Sequence, residues 1–165
     1  MSLLIKNASL YIAIIITGLS AGFFYAWQVS VIPGTKQVSD RTFLEVMQSI
    51  NRAILNPWFF VIFMGSLLVL FVALIAQYGQ PSFFPVLAAL VFYLFGTMGV
   101  TIMGNVPLND TLDVINLSIQ DEYALKEIRT LWEPRWNRFH LIRTVCSVLS
   151  FLMVLLAAFT TIKNQ

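Results

Sequence analysis

The chain has 165 residues, of which 58% are hydrophobic and 11% are charged. Soluble domains carry about a quarter charged residues, so this composition indicates an integral membrane protein. The net charge of +2 without a basic run excludes a nucleic-acid partner, and the single cysteine, Cys146, excludes an internal disulfide or a cysteine-based metal site.

The charged residues are segregated, and the gaps between them predict membrane-spanning helices. Residues 7–35, 53–109 and 144–162 contain no charged residue. A span needs ~20 apolar residues, so the first and last gaps hold one helix each and the middle gap holds two. We predict a single all-α domain over residues 1–165, a bundle of four transmembrane helices at about 9–31, 57–77, 82–103 and 136–160.

Small residues in two spans predict close helix packing. Gly18 and Gly22 form a GxxxG pair in the first span, and Gly96–Thr101 supplies a second small-residue face in the third. The breaker pair Pro33-Gly34 is expected to end the first helix.

The first connection, residues 35–56, reads as an amphipathic helix on one face of the membrane. Apolar residues recur in it at helical spacing and charged residues occupy the opposite side. Ser39 or Asp40 is a suitable N-cap for this helix. Asn56 followed by Pro57 is a start signal for the second span.

The second long connection is predicted to hold another amphipathic helix. The polar segment Gly104–Asp110 contains Pro107 and is expected to be kinked, with Asn109 or Asp110 capping a helix that reaches Trp132. Glu133-Pro134 is then expected to break that helix, and the last span begins near Trp136.

The start of the last span carries residues capable of chemistry. If a helix begins after Pro134, then Trp136, His140 and Arg143 lie at i, i+4 and i+7 on one face. Four spans bring this stretch to the same side of the membrane as both long connections. The alternative is an interfacial anchor, because tryptophan and arginine gather at that depth in membrane proteins.

Arg143 is the strongest candidate, since an ionisable residue at membrane depth is a functional hypothesis by default. Three alternatives are open for its side chain. It pairs with Asp110 or Asp113, it binds an acidic or enolate ligand, or it extends to lipid headgroups. His140 is either a general base or a hydrogen-bonded structural residue. Three asparagines either bind a ligand carbonyl or cap helix ends: Asn105, Asn109 and Asn137.

Three ordered motifs resemble the anthrone-oxygenase-like family of small four-helix membrane proteins. The motifs are Gly18–Trp27 leading to Ile32-Pro33-Gly34, then Gly104–Asn109, then Trp132–Arg138 before Arg143-Thr144. Some members of this family oxidise polyketide anthrones to anthraquinones. The resemblance implies an oxygenase that needs no metal or flavin cofactor. We expect a multi-pass protein of a bacterial inner membrane.

The resemblance also implies roles for individual residues. His140 would be the base, with Arg143 and Asn105 near the oxyanion of the deprotonated substrate. Four aromatic residues would wall a flat substrate, and three further residues complete the expected substrate-binding set: Tyr25, Trp27, Trp132 and Trp136, then Asn109, Asn137 and Arg138. The tryptophans are also suited to packing or to the interfacial belt.

Two functions therefore remain open at the level of the sequence. The first is a redox enzyme that acts on a lipophilic aromatic or quinone-like compound, with the lipid bilayer and that compound as its partners. The second is a non-catalytic membrane subunit that docks a protein or binds lipid. Only Lys6 and Lys163 mark the face opposite the long connections, so the positive-inside rule favours cytoplasmic connections.

Overall fold

The computed structural model describes residues 3–163, and all regular structure within that range is helical. Four of its helical stretches are long and apolar enough to cross a membrane: Leu4–Thr35, Pro57–Ala76, Phe83–Asp113 and Glu122–Thr161. The predicted all-α bundle of four spans is confirmed. The chain is a multi-pass membrane protein, and we number these stretches as spans 1 to 4.

The helices are α1 Leu3–Ala26, α2 Ile32–Thr35, α3 Asp40–Ala53, α4 Pro57–Ala76, α5 Phe83–Val91, α6 Val106–Asp113 and α7 Glu122–Lys163. Wider π-helical turns join α1 to α2 at Trp27–Val31 and α5 to α6 at Phe92–Gly99 and Thr101–Asn105. A short 3₁₀ helix, Leu117–Ile119, lies in the second connection.

Span 1 ends at Thr35, so the predicted helix end at Pro33-Gly34 is confirmed, whereas the predicted helix cap at Asn109 or Asp110 is wrong. Pro33 and Pro107 lie in the first turn of α2 and α6. A π-helical turn precedes each of them, so the chain continues as helix through both positions. Asn109 and Asp110 therefore lie inside α6 and do not cap a helix.

The predicted break at Glu133-Pro134 is also wrong, because α7 runs through Pro134 without interruption. Pro134 leaves the carbonyl of Thr130 without its usual donor, and both residues are exposed. The unpaired carbonyl is thus at the surface, where water can satisfy it. The predicted second amphipathic helix is therefore not one helix from residue 110 to Trp132: the chain leaves the α-helix between Asp113 and Glu122, and the part from Glu122 onward is continuous with span 4.

The predicted N-caps of the first amphipathic helix and of span 2 are confirmed. The Ser39 side chain accepts a hydrogen bond from the Thr42 backbone N–H at 3.2 Å, and the Asn56 side chain accepts one from Phe59 at 3.1 Å. These caps satisfy backbone donors that a helix start leaves open. The apolar face of α3 is buried through Phe43 and its neighbours.

Two apolar cores stabilise the opposite ends of the bundle. One includes Leu70, Val86 and Val154, toward the chain termini. The other packs α3 against α6, α7 and the second connection, and it contains Trp132 and Trp136. A small cluster of Phe24, Phe63 and Met98 lies between them along the spans.

Close approach to α7 is concentrated at two glycines of span 3. A Cβ placed on Gly96 would overlap the Cys146 side chain, and one placed on Gly104 would lie 2.6 Å from the Phe139 ring. In the GxxxG pair, Gly18 faces the Phe151 ring at 3.1 Å, whereas nothing lies within 4 Å of Gly22. The predicted close packing holds at Gly18 and Gly96.

We expect Gly104→Ala and Gly96→Ala to lower the thermal unfolding midpoint of the purified protein in detergent. Forcing a methyl group into a packed contact costs about 1–3 kcal/mol. Gly65→Ala is the matched control, since nothing lies within 4 Å of that position and alanine favours a helix by about 1 kcal/mol. Equal midpoints for the three variants would contradict the close approach.

Candidate functional site

A stack of three aromatic rings on α7 forms one wall of the site. Trp132 and Trp136 are stacked with ring centroids 5.7 Å apart, and Trp136 and His140 are stacked at 5.1 Å with an interplanar angle of 4°. The residues are four apart, so successive turns of a continuous helix place them above one another. The predicted shared face of Trp136, His140 and Arg143 is confirmed.

Hydrogen bonds hold both nitrogens of the His140 ring. Arg143 donates to His140 Nδ1 from Nε at 3.2 Å and from Nη2 at 3.0 Å. Because a guanidinium can only donate, Nδ1 accepts, and the imidazole is neutral with its proton on Nε2. That Nε2 donates to the backbone carbonyl of Phe24 at 3.2 Å. Neither nitrogen presents a free lone pair to the surroundings.

The Arg143 guanidinium lies among aromatic rings. Its carbon is 4.8 Å from the centre of the Phe24 ring and 5.2 Å from that of Trp136. The side chain is only 8% exposed, so it does not extend to lipid headgroups. Cation–π contacts of this kind contribute up to about 2 kcal/mol when water is excluded.

The surroundings of Arg143 differ from those of Arg129, the other deeply placed arginine of α7. Arg129 forms ion pairs with Asp40 at 3.1 Å and Glu133 at 2.7 Å. Within residues 3–163 no carboxylate lies within ion-pair distance of Arg143, so neither predicted partner, Asp110 nor Asp113, pairs with it. Arg143 is a buried cation that lacks a counter-charge from the described part of the chain.

A cavity of about 230 Å³ lies beside this cation. Its walls are mainly aromatic and aliphatic, and its polar side chains come from α3, α6 and α7 and from the π-helical turn of span 3. The lining comprises Phe23, Phe24, Trp27, Ile50, Asn51, Arg52, Ile54, Leu55, Phe59, Thr101, Val106, Asn109, Asp110, Asp113, Trp136, His140 and Arg143. An apolar cavity with a few polar groups is the usual form of a small-molecule site.

A groove of about 390 Å³ continues from the cavity between α1, α3 and α4. The two share six lining residues: Phe23, Phe24, Trp27, Ile50, Ile54 and Phe59. The groove extends along α4 to Phe63, roughly 9 Å into span 2 at 1.5 Å per residue from Pro57. The groove therefore extends past the first turn of span 2.

The structure brings half of the predicted site residues to the cavity. Those that line it are Trp27, Asn109, Trp136, His140 and Arg143. Those that do not are Tyr25, Asn105, Trp132, Asn137 and Arg138. Tyr25 is 57% exposed on the outside of α1, while Trp132 is buried in the core near the connections.

Asn105 was predicted to lie near the oxyanion of the substrate, but the structure places it in a contact between helices. It is fully buried, and its Nδ2 donates to the backbone carbonyl of Trp136 at 3.2 Å. Gly104 beside it faces the Phe139 ring of α7. These contacts hold the end of span 3 against α7. Asn109 meanwhile accepts a hydrogen bond from Trp136 Nε1 at 2.8 Å and so fixes the orientation of the stacked ring.

Several cavity residues were not predicted as site residues, although Asp110 was named as a candidate partner of Arg143. Phe24 contributes both its ring and its backbone carbonyl, and Asn51, Phe59 and Asp110 also line the cavity. For Asp110 a signal existed, since Val106, Asn109, Asp110 and Asp113 follow helical spacing. Because the segment around Pro107 was expected to be kinked, these residues were not predicted to share one helix face. No group of three metal-binding side chains is found within the described residues.

A family model described as anthrone oxygenase matches residues 47–153. The chain belongs to the anthrone oxygenase family. The match includes α7 up to residue 153 and thus Trp136, His140 and Arg143, together with α6. No curated protein and no solved structure matched the chain. The family resemblance drawn from the three motifs is confirmed.

We expect Arg143→Met to leave the thermal stability unchanged or to raise it, whereas Arg129→Met lowers it. Removing an unpaired buried charge relieves a desolvation cost, whereas removing Arg129 leaves the partly buried carboxylates of Asp40 and Glu133 without their cation. The two variants carry the same substitution on the same helix, and thermal unfolding in detergent compares them. A larger loss of stability for Arg143→Met than for Arg129→Met would show that Arg143 is structural.

Proposed function

We propose that the protein is a cofactor-independent oxygenase that acts on a lipophilic aromatic compound with an acidic C–H bond, such as an anthrone. The proposal rests on the surroundings of Arg143. This buried cation lines an aromatic-walled cavity and has no carboxylate partner among the described residues. Such a cation is suited to the negative oxygen that forms when the substrate loses a proton.

The overall reaction balances without an external reductant. One oxygen atom of O₂ becomes the new carbonyl oxygen of the product. The other atom leaves as water with the two hydrogens of the substrate's methylene group. The protein has to bind the ring, lower the free energy of the enolate and exclude water, because an electron-rich enolate can transfer an electron to O₂ directly.

Arg143 and His140 take different roles in this proposal. Arg143 binds the enolate oxygen, because it is the only cation lining the cavity that lacks an ion-pair partner among the described residues. His140 acts as a positioning residue, since its lone pair already accepts from Arg143 and its N–H is held by Phe24. The neutral imidazole thus orients the guanidinium without neutralising it.

The aromatic walls and the groove support a flat, lipophilic substrate. The walls of the cavity are mainly aromatic and aliphatic, which suits a planar, lipophilic ring system. The groove offers such a compound a route from the membrane. A non-catalytic docking or lipid-binding subunit would expose these polar side chains, and the burial of His140 and Arg143 favours the enzyme.

The proposal is tested by oxygen uptake of purified protein in detergent with anthrone as substrate, in the presence of a metal chelator. Wild type is expected to consume one O₂ for each anthraquinone formed. Arg143→Gln is expected to lower kcat/KM by about 10²–10³, the usual loss when one oxyanion donor is removed. His140→Phe keeps a ring in the stack but removes the acceptor for Arg143, so its rate is also expected to fall.

Arg138→Gln is the matched control, because Arg138 is on the same helix, is exposed and does not line the cavity. Its rate is expected to equal that of wild type. Uptake that is equal in wild type, Arg143→Gln and Arg138→Gln would remove Arg143 from the mechanism. Absence of uptake by helical, monodisperse wild type would count against the oxygenase and for the docking subunit.

A further inference from the structure

The proposed reaction needs a group that accepts the substrate proton, and the cavity lining offers few choices. Its titratable side chains are Arg52, Asp110, Asp113, His140 and Arg143. The two arginines are cations without a lone pair to accept a proton. His140 has its only lone pair directed at Arg143. The base must therefore be sought among the two carboxylates.

The two carboxylates differ in their partners. Asp113 forms an ion pair with Arg52 of α3, and Arg52 also donates to the Asp113 backbone carbonyl. For the Asp110 carboxylate, the structure contains neither an ion pair nor a side-chain hydrogen bond with any residue in the range 3–163. Asp110 is exposed at the cavity mouth, so its carboxylate oxygens are free to accept a proton and to exchange it with water.

The orientation of α6 directs Asp110 toward the cavity. Val106, Asn109, Asp110 and Asp113 lie on one face of α6 and all line the cavity. Hydrogen bonds at both ends of this face fix it, from Trp136 to Asn109 and from Arg52 to Asp113. The position of Asp110 between these two anchors is thus set by the fold.

The arrangement of the cavity matches the chemistry of an anthrone. In that molecule the carbonyl oxygen and the acidic methylene group lie at opposite sides of the central ring. A ring in the cavity with its oxygen at Arg143 has its methylene group directed away from Arg143. The free carboxylate in the lining belongs to α6 at the mouth, whereas Arg143 lies in the buried part.

We propose that Asp110 is the general base of the reaction. The substrate C–H bond breaks, the proton passes to a carboxylate oxygen of Asp110, and the electron pair is delocalised through the ring to the oxygen that faces Arg143. Protonated Asp110 then loses the proton to water at the mouth. This assignment rests on the proposed function, but the step itself requires no O₂.

Because the step needs no O₂, it can be measured alone. Purified protein in detergent is mixed with anthrone in deuterated buffer without oxygen, and NMR follows the exchange of the methylene protons for deuterium. Wild type is expected to accelerate exchange. Asp110→Asn is expected to lower the catalysed rate by about 10²–10⁴, the usual contribution of a general base. Its affinity for anthrone, measured under the same conditions, is expected to stay near that of wild type.

Two further variants complete the test. Asp110→Glu keeps a carboxylate and is expected to restore part of the exchange. Glu45→Gln alters an exposed carboxylate of α3 that lies outside the cavity lining and is expected to exchange at the wild-type rate. Exchange by Asp110→Asn that equals wild type overturns the assignment, as does equal loss in Asp110→Asn and Glu45→Gln.

The failure of this proposal is distinguishable from that of the proposed function. Oxygen uptake that persists in Asp110→Asn leaves the oxygenase intact and overturns the base. Exchange by wild type that depends on Asp110 but is not followed by oxygen uptake supports the base and overturns the oxygenase. Wild type that takes up oxygen without accelerating exchange also overturns the base.

Discussion

The hydrogen bonds between Arg143 and His140 place a positive charge inside an apolar bundle, with no carboxylate from the described chain to balance it. Burial of an unpaired ion is costly, and proteins seldom retain one without a use. Three partners reduce that cost here: a neutral imidazole and the faces of the Phe24 and Trp136 rings. Each interacts with the guanidinium without cancelling its charge.

This arrangement depends on the continuity of α7. The helix carries Arg129 and Trp132 at the connections, Trp136 and His140 in the site, and Val154 in the far core. A break at Pro134 would separate the core near the connections from the site and remove the stack that orients His140. The close approach of Gly96 and Gly104 to α7 then aligns span 3 with the same helix.

Much of the fold follows from local rules that a sequence reader can apply. The gaps between charges predict the spans, and helical spacing alone places Trp136, His140 and Arg143 on one face. The expected helix break failed at Pro134 because its outcome depends on the context of the missing N–H. At that position the unpaired carbonyl of Thr130 faces the surface.

The site was less predictable than the fold, since it depends on which way helices face in three dimensions. Asn105, predicted near the oxyanion, and Asp110, predicted as a partner of Arg143, illustrate this. Both flank Pro107, and only the packing of α6 against Trp136 places the carboxylate at the cavity and the amide inside the protein. The backbone carbonyl of Phe24 accepts a hydrogen bond from His140, and residue types in a sequence do not predict such backbone contacts.

For the lipophilic substrate that we propose, entry through the groove between α1, α3 and α4 would determine which concentration governs binding. A compound that enters from the hydrocarbon is present at its mole fraction in the membrane, and its amount in the aqueous phase matters only through partitioning. Adding lipid or detergent at constant total substrate dilutes the compound in two dimensions and lowers occupancy of the cavity. Saturation is therefore expressed naturally as a mole fraction, and two preparations are comparable only when their ratio of lipophilic compound to lipid is the same.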